Sequence, residues 1–194
     1  MFNLIIGGSG FIGKSLTKKL KEIGEKILVV DVGIWKNSDS RDDDLWTPDD
    51  LHWSSECIGK LKGISGVRIW HLAANSDIAK AAKNFEIDYE LTLGSTIEVL
   101  KVAEKIDCSS IEFTSSSAVY GNRIGDRKFQ ENDPLVPISN YGNMKAASET
   151  LIRIFADRNK VPFHNYRLAN IVGPNMTHGL ISVSYTHLTL PTKA

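Results

Sequence analysis

The sequence predicts an α/β fold, a doubly wound parallel sheet with helices on both faces. Short apolar runs suited to buried strands alternate with stretches of helical period, which is the pattern of βαβ units. A glycine-rich turn joins the first strand to the first helix. A tyrosine and a lysine stand four residues apart, at 141 and 145, where a late helix begins.

Phe2–Ile6 is an apolar run ending in glycine, and Ile12, Leu16, Leu20 and Ile23 then recur at helical spacing. Between them lies Gly7-Gly8-Ser9-Gly10-Phe11-Ile12-Gly13. Gly7 permits a sharp turn, Gly10 lets a pyrophosphate approach the backbone, and Gly13 lets helix and strand pack closely while helix N–H groups face the anion. Lys26–Val30 forms a second strand ending at Asp31, 18 residues beyond Gly13. A carboxylate there accepts hydrogen bonds from an adenosine ribose and repels a 2'-phosphate, which favours NAD over NADP.

Residues 33–66 read as a solvated, loop-rich segment with a short strand. Asp39, Asp42, Asp43, Asp44, Asp49 and Asp50 crowd around Arg41, and Trp35, Trp46 and Trp53 show no clear period. The acids lack the alternation and glycine of a calcium loop, so no metal site is expected. Val67–Leu72 is the next strand, running into Ala73-Ala74-Asn75, whose small side chains let a flat cofactor lie against the backbone. A helix is expected over 85–105, with Leu91, Val99, Val102 and Ile106 along one stripe. Ile111–Thr114 is a strand running into Ser115-Ser116-Ser117, which puts hydroxyls at the sheet's carboxyl edge, where a ligand crevice opens. After a polar loop the last helix carries Tyr141 and Lys145 to about Arg158, with Ala147, Leu151, Ile154 and Phe155 on its apolar side. Val161–Leu168 is the final strand.

Tyr141 and Lys145 share a helix face, so a phenol and an ammonium can enter one pocket. A phenol ionises near pH ~10, and a neighbouring cation favours the phenolate, as proton chemistry near neutrality requires.

Other function classes are excluded by composition. With 23 basic and 23 acidic residues the formal charge is zero, giving no electrostatic case for nucleic acid or an anionic membrane. No apolar run approaches membrane-spanning length. Cys57 and Cys108 have neither metal-ligand spacing nor a disulfide framework, and with the absence of a leader they suggest a cytoplasmic protein.

The glycine turn with Asp31, the strand end at 71–75, Ser116, and Tyr141 with Lys145 together resemble the extended short-chain dehydrogenase/reductase family, in particular its nucleotide-sugar epimerases of the uridine-diphosphoglucose 4-epimerase group. The resemblance implies a Rossmann domain over 1–168 and the start of a truncated substrate lobe over 169–181. It implies that Gly7, Gly10, Phe11, Ile12, Gly13, Asp31, Leu72, Ala73 and Ala74 hold NAD together with Tyr141 and Lys145. Ser116 lies four residues before Tyr120 in the family's Ser-x-x-x-Tyr-Gly segment, so Ser116, Tyr141 and Lys145 are the implied catalytic set, and Lys145 would lower the tyrosine's pKa. Ser116, Ser117 and Asn170 are the implied substrate contacts. The implied reaction moves a proton from a sugar hydroxyl to Tyr141 and a hydride to NAD. The keto-sugar then turns over and takes the hydride back on its other face. Sugar dehydratases of the family carry an Asp-Glu pair where this chain has Ser117 and Ala118, which speaks against dehydration. Relatives commonly place an asparagine, in a pattern like Asn-x-x-Gly-Thr, where this chain has Thr92. Relatives also dimerise through the two long helices, near 85–106 and 141–158. A reductase or dehydrogenase of the same fold and a non-catalytic dinucleotide sensor are the alternatives. Residues 183–194 resemble the translation of a transposon adapter used in sequencing libraries, so they are expected to be a non-native tail and the natural chain to continue.

Overall fold

The computed structural model describes residues 1–31, 45–46, 48, 52–75, 84–122, 125 and 127–173. The aspartate cluster at 39–50 and the 183–194 tail lie outside them, as do residues 174–181 of the expected lobe.

Among the described residues, six parallel strands form one sheet in the order β3-β2-β1-β4-β5-β6. They are β1 (Phe2–Ile6), β2 (Lys26–Val30), β3 (Leu45–Trp46), β4 (Val67–His71), β5 (Cys108–Ser116) and β6 (Phe163–Leu168). The order reverses between β1 and β4, each in register with the other from Phe2↔Val67 to Ile6↔His71. That reversal is the switch point at which open α/β sheets form their ligand crevice.

Successive β1 residues serve opposite faces of the sheet. Leu4 and Ile6 join the larger core with Val67, Ile69, Ile111 and Phe113, covered by α2 (Ser54–Lys60), α4 (Ser95–Lys105) and α5 (Asn140–Asn159). Ile5 turns to the other face, where Ile27 and Val29 pack under Leu20 of α1 (Phe11–Glu22). Burial on both faces is why these strands read as nearly continuous apolar runs.

Several boundaries differ from expectation. Helix α2 was expected to be loop, but Trp53, Cys57 and Leu61 recur four apart and are all buried. The helix expected over 85–105 is α3 (Phe85–Asp88), a π-helical segment (Tyr89–Gly94) and α4 in succession. Strand β5 begins at Cys108 and takes in Ser115 and Ser116, which pair with Arg167 and Leu168 of β6. Hydroxyl side chains do not end a strand when neighbouring backbone offers partners.

The apolar side expected for α5 is corrected in part: Phe155 is buried and Ala147 and Leu151 are partly buried, but Ile154 is not. The helix's buried stripe is Lys145, Ser148, Glu149, Ile152, Phe155 and Ala156, whereas Ile154 is 57% exposed. Lys145, Ser148 and Glu149 in it are polar, so apolar spacing alone misses part of the buried face. On α1, Ile23 is likewise exposed, because it caps the helix C-terminus. Among the described residues no helix is long and apolar enough to cross a membrane.

Candidate active site

Two constructions meet at the carboxyl ends of β1, β4 and β5. The first is the glycine turn. Gly7 has φ +81°, the left-handed region that favours glycine, and a β-carbon there would lie 2.7 Å from the backbone nitrogen of Ala73. The turn is therefore pressed against the end of β4, which brings Leu72, Ala73 and Ala74 beside it. A β-carbon on Gly13 would lie 2.4 Å from the Gly7 carbonyl oxygen and 2.5 Å from Gly8 Cα. Only a hydrogen at 13 lets α1 begin where it does.

Gly10 is the N-cap of α1, without a side-chain cap, and the first turn carries no acidic residue. Its N–H groups are thus not satisfied by capping, which suits an anionic ligand. Asp31 accepts hydrogen bonds from the Ser9 backbone N–H at 2.9 Å and from the Ser9 hydroxyl. The carboxylate is thereby held at the edge of the same turn. Gly173, after β6, lies against the Phe11 ring: a β-carbon at 173 would be 3.1 Å from Phe11 Cζ. Ile12 is partly exposed beside it.

The second construction is a polar shelf where α5 meets β5. Ser139 caps α5 by accepting the Gly142 N–H at 3.1 Å, and this starts the helix one residue before Tyr141. Tyr141 is half-buried, with Ser116 close enough to act on its phenol. Lys145, one turn on, is 1% exposed, and its ammonium donates to the Thr114 carbonyl at 2.6 Å. It sits 4.6 Å from the Phe113 ring centroid and 5.9 Å from that of Tyr141.

Burial dominates the electrostatics of this shelf. It pushes Lys145 down to about 7, with the Glu149 carboxylate opposing the fall. It pushes the Tyr141 phenol above its ordinary value, against the influence of the nearby Ser116 hydroxyl and with the Asp88 charge adding to the rise. A lysine-lowered tyrosine was expected from the sequence, and in this structure the direction is reversed. The ammonium is turned to the Thr114 carbonyl, while loss of water around the phenol favours the neutral form.

Ser116 ends β5, and its Oγ accepts the Ala118 N–H at 3.2 Å. Ser117 begins the short 3₁₀ turn that follows and is exposed. Asn170 is exposed two residues beyond β6, and no contact joins it to the Ser116–Tyr141 pair. Thr92 lies in the π-helical segment, fully buried, and its hydroxyl accepts the Asn75 N–H at 3.1 Å. Asn75 in turn donates to Asp88 at 2.7 Å, so the residue in the asparagine's place ties this helix to the end of β4.

Several functional neighbours were not anticipated from sequence. Thr114 contributes a carbonyl, which no side-chain pattern reveals. His71 bonds to Thr96 at 2.8 Å, and Thr96 bonds to Ser148 at 2.9 Å, joining β4, α4 and α5. Burial, with the Lys145 charge adding, holds that imidazole well below its usual range and therefore neutral. Glu149, four residues after Lys145, was open to the same helical spacing rule that paired Tyr141 with Lys145.

A switch-point crevice, an uncapped glycine turn and a Tyr–Lys helix are the features of a Rossmann-type dinucleotide-binding domain of the kind found in oxidoreductases and epimerases. The chain belongs to the NAD dependent epimerase/dehydratase family, which its sequence matches over residues 3–188. NAD is the cofactor of that family. The chain is 30% identical to a UDP-glucose 4-epimerase of Halalkalibacterium halodurans, over 76% of this chain and 44% of that protein. It is 29% identical to a dTDP-4-dehydro-6-deoxyglucose reductase of Escherichia coli, over 88% of this chain and 55% of that protein. Among solved structures it resembles a UDP-galactose 4-epimerase with TM-score 0.78 and 32% identity, covering 97% of this chain and 62% of the other. The chain thus spans less than two thirds of these relatives.

Proposed function

We propose that this chain is the cofactor-binding part of an NAD-dependent nucleotide-sugar 4-epimerase, of the type that interconverts UDP-glucose and UDP-galactose. The observation that carries the reading is the placement of Tyr141 and Lys145 on one face of α5 against the end of β5, where Lys145 donates to the Thr114 carbonyl and Ser116 acts on the phenol. When bound, NAD would supply reversible hydride-transfer chemistry. The protein's own part is acid–base: Tyr141 takes the proton of a sugar hydroxyl, commonly the 4'-OH, and Ser116 holds that oxygen. Lys145 would hold the nicotinamide ribose, and its positive charge favours the phenolate that must be present before Tyr141 can take the proton. The turn from Gly7 to Gly13, with Phe11 and Ile12, receives the pyrophosphate at the start of α1. Asp31 receives the adenosine ribose, and Leu72, Ala73 and Ala74 flank the cofactor.

Ser117 and Ala118 provide no carboxyl pair for eliminating water, which favours epimerisation over dehydration. Ser117 and Asn170 are assigned to the substrate. A homodimer through α4 and α5 belongs to the same reading, supported by the exposed Ile97 and Ile154. So does a cytoplasmic location, supported by the free thiols Cys57 and Cys108.

A keto-sugar reductase is the second reading, favoured by the Escherichia coli relative. The test uses the completed protein with a panel of nucleotide sugars. Epimerisation without net NAD conversion is expected, and net conversion of free cofactor would favour the reductase. Tyr141→Phe should leave NAD bound and lower turnover by roughly 10²–10⁴-fold; retained turnover would overturn the assignment.

A further inference from the structure

Lys145 is an ammonium at 1% exposure, and burying such a group is costly unless a fixed opposite charge or good hydrogen bonds compensate. The Thr114 carbonyl supplies one hydrogen bond. Among the described residues, the charged and titratable groups that bear on the ammonium are His71, Tyr141, Asp88, Glu149 and, behind Glu149, Arg167. His71 of β4 is neutral, and Tyr141 on its own helix is held toward the neutral form. Asp88 of α3 acts on the phenol and is bonded to Asn75. Glu149 stands one turn beyond Lys145, is 4% exposed, and is the carboxylate whose charge opposes the lysine's burial.

Glu149 is fixed from two strands. The Arg167 guanidinium of β6 grips both carboxylate oxygens, with Nε at 3.0 and 3.3 Å and Nη2 at 2.8 Å. Ser115 of β5 donates its hydroxyl to the same carboxylate. The remaining arm of Arg167 donates to the Tyr120 hydroxyl at 2.6 Å and the Glu131 carbonyl at 2.7 Å, so the clamp is itself anchored. Two consecutive rungs therefore join α5 to β5 just before Ser116: Lys145 on Thr114, and Glu149 on Ser115.

We propose that Glu149, clamped by Arg167 and Ser115, is a positioning residue that supplies the fixed negative charge holding the Lys145 ammonium in place beneath Tyr141. It sets the working charge of Lys145 without touching substrate or cofactor. The role in turnover rests on the epimerase reading; the effect on Lys145 does not.

The direct test follows the Lys145 side-chain NMR signal with pH in the full chain, assigned by its loss in Lys145→Arg. Glu149→Gln should move the midpoint down by about one unit or more, lowering the charged fraction above the midpoint roughly tenfold. Glu149→Asp, which keeps the charge, should recover most of the shift. Should Glu149→Gln leave Arg167 too poorly paired to fold, Glu149→Gln/Arg167→Gln is compared with Arg167→Gln, so that only the Glu149 charge differs, and the midpoint should again fall. An unchanged midpoint in the folded variant overturns the proposal. In the completed protein the basic limb of the pH–rate profile should move with the midpoint. A midpoint shift in a protein without epimerase activity would sink the epimerase reading and leave this one standing. A lowered rate with an unmoved midpoint would do the reverse.

Discussion

The glycine turn and the α5 shelf both place ligand-facing groups at the carboxyl edge of one sheet, and they do so with different materials. The turn works by omission: at Gly13 a single β-carbon would collide with the Gly7 carbonyl oxygen at 2.4 Å, and the donors it offers are backbone N–H groups. The shelf works by burial of polar side chains, Lys145, Ser148 and Glu149, each satisfied by a partner on another element. A steric site tolerates no added atom but is nearly indifferent to pH. An electrostatic site keeps its shape under small substitutions and answers to proton concentration.

Three substitutions probe that contrast. The largest effect is expected at the turn, where Gly13→Ala should cost about 3 kcal/mol or more, because backbone must move to admit the methyl. Urea denaturation and NAD titration would measure it, and a variant of wild-type stability would show that the turn is not sterically closed.

At the shelf, Lys145→Met should change the slope of stability with pH. The folded-state pKa of Lys145, about 7, lies below the ordinary value of 10.5, so between those limits the unfolded chain binds more protons. Wild-type stability therefore rises with pH there, and the strain of the buried charge is fullest below about 7. From pH 7 to 9 the wild type should gain on Lys145→Met by up to about 1.4 kcal/mol per pH unit. Parallel stability curves would mean that the burial of Lys145 does not depress its pKa. The smallest effect is expected for Ser9→Ala, at about 1 kcal/mol, since the Ser9 backbone N–H still donates to Asp31 after the hydroxyl is gone. A much larger loss would show that the turn also depends on side-chain polarity.

The same contrast explains how much could be read beforehand. The glycine turn, the strands on either side of it and Asp31 form a local pattern in which each residue type has one physical reason to be there. The order of strands and helices, and hence the parallel sheet, was open to the same reading. Helix α2 was not, because its seven residues hold only two buried positions, too few for periodicity to separate from loop. The π-helical segment was hidden inside a continuous helical pattern. On α5 the apolar spacing found Phe155 but included the exposed Ile154, and it missed the buried polar residues Lys145, Ser148 and Glu149.

Tyr141 and Lys145 were picked out by spacing, and the structure places them on one helix face against the end of β5. Spacing also suggested that the lysine draws the phenol toward ionisation. That depends on where the ammonium points and how much water remains, and neither is a property of one helix. By itself the amino-acid sequence determined the alternation of elements, the steric closure at Gly13 and the i, i+4 alignment along α5, since all three follow from covalent geometry and local spacing. Tertiary structure alone decided the partners of the buried charges, Thr114 for Lys145, and Arg167 with Ser115 for Glu149. Long-range pairing of β5 with β6 brings those groups together, and the energy of a buried charge depends on every group around it.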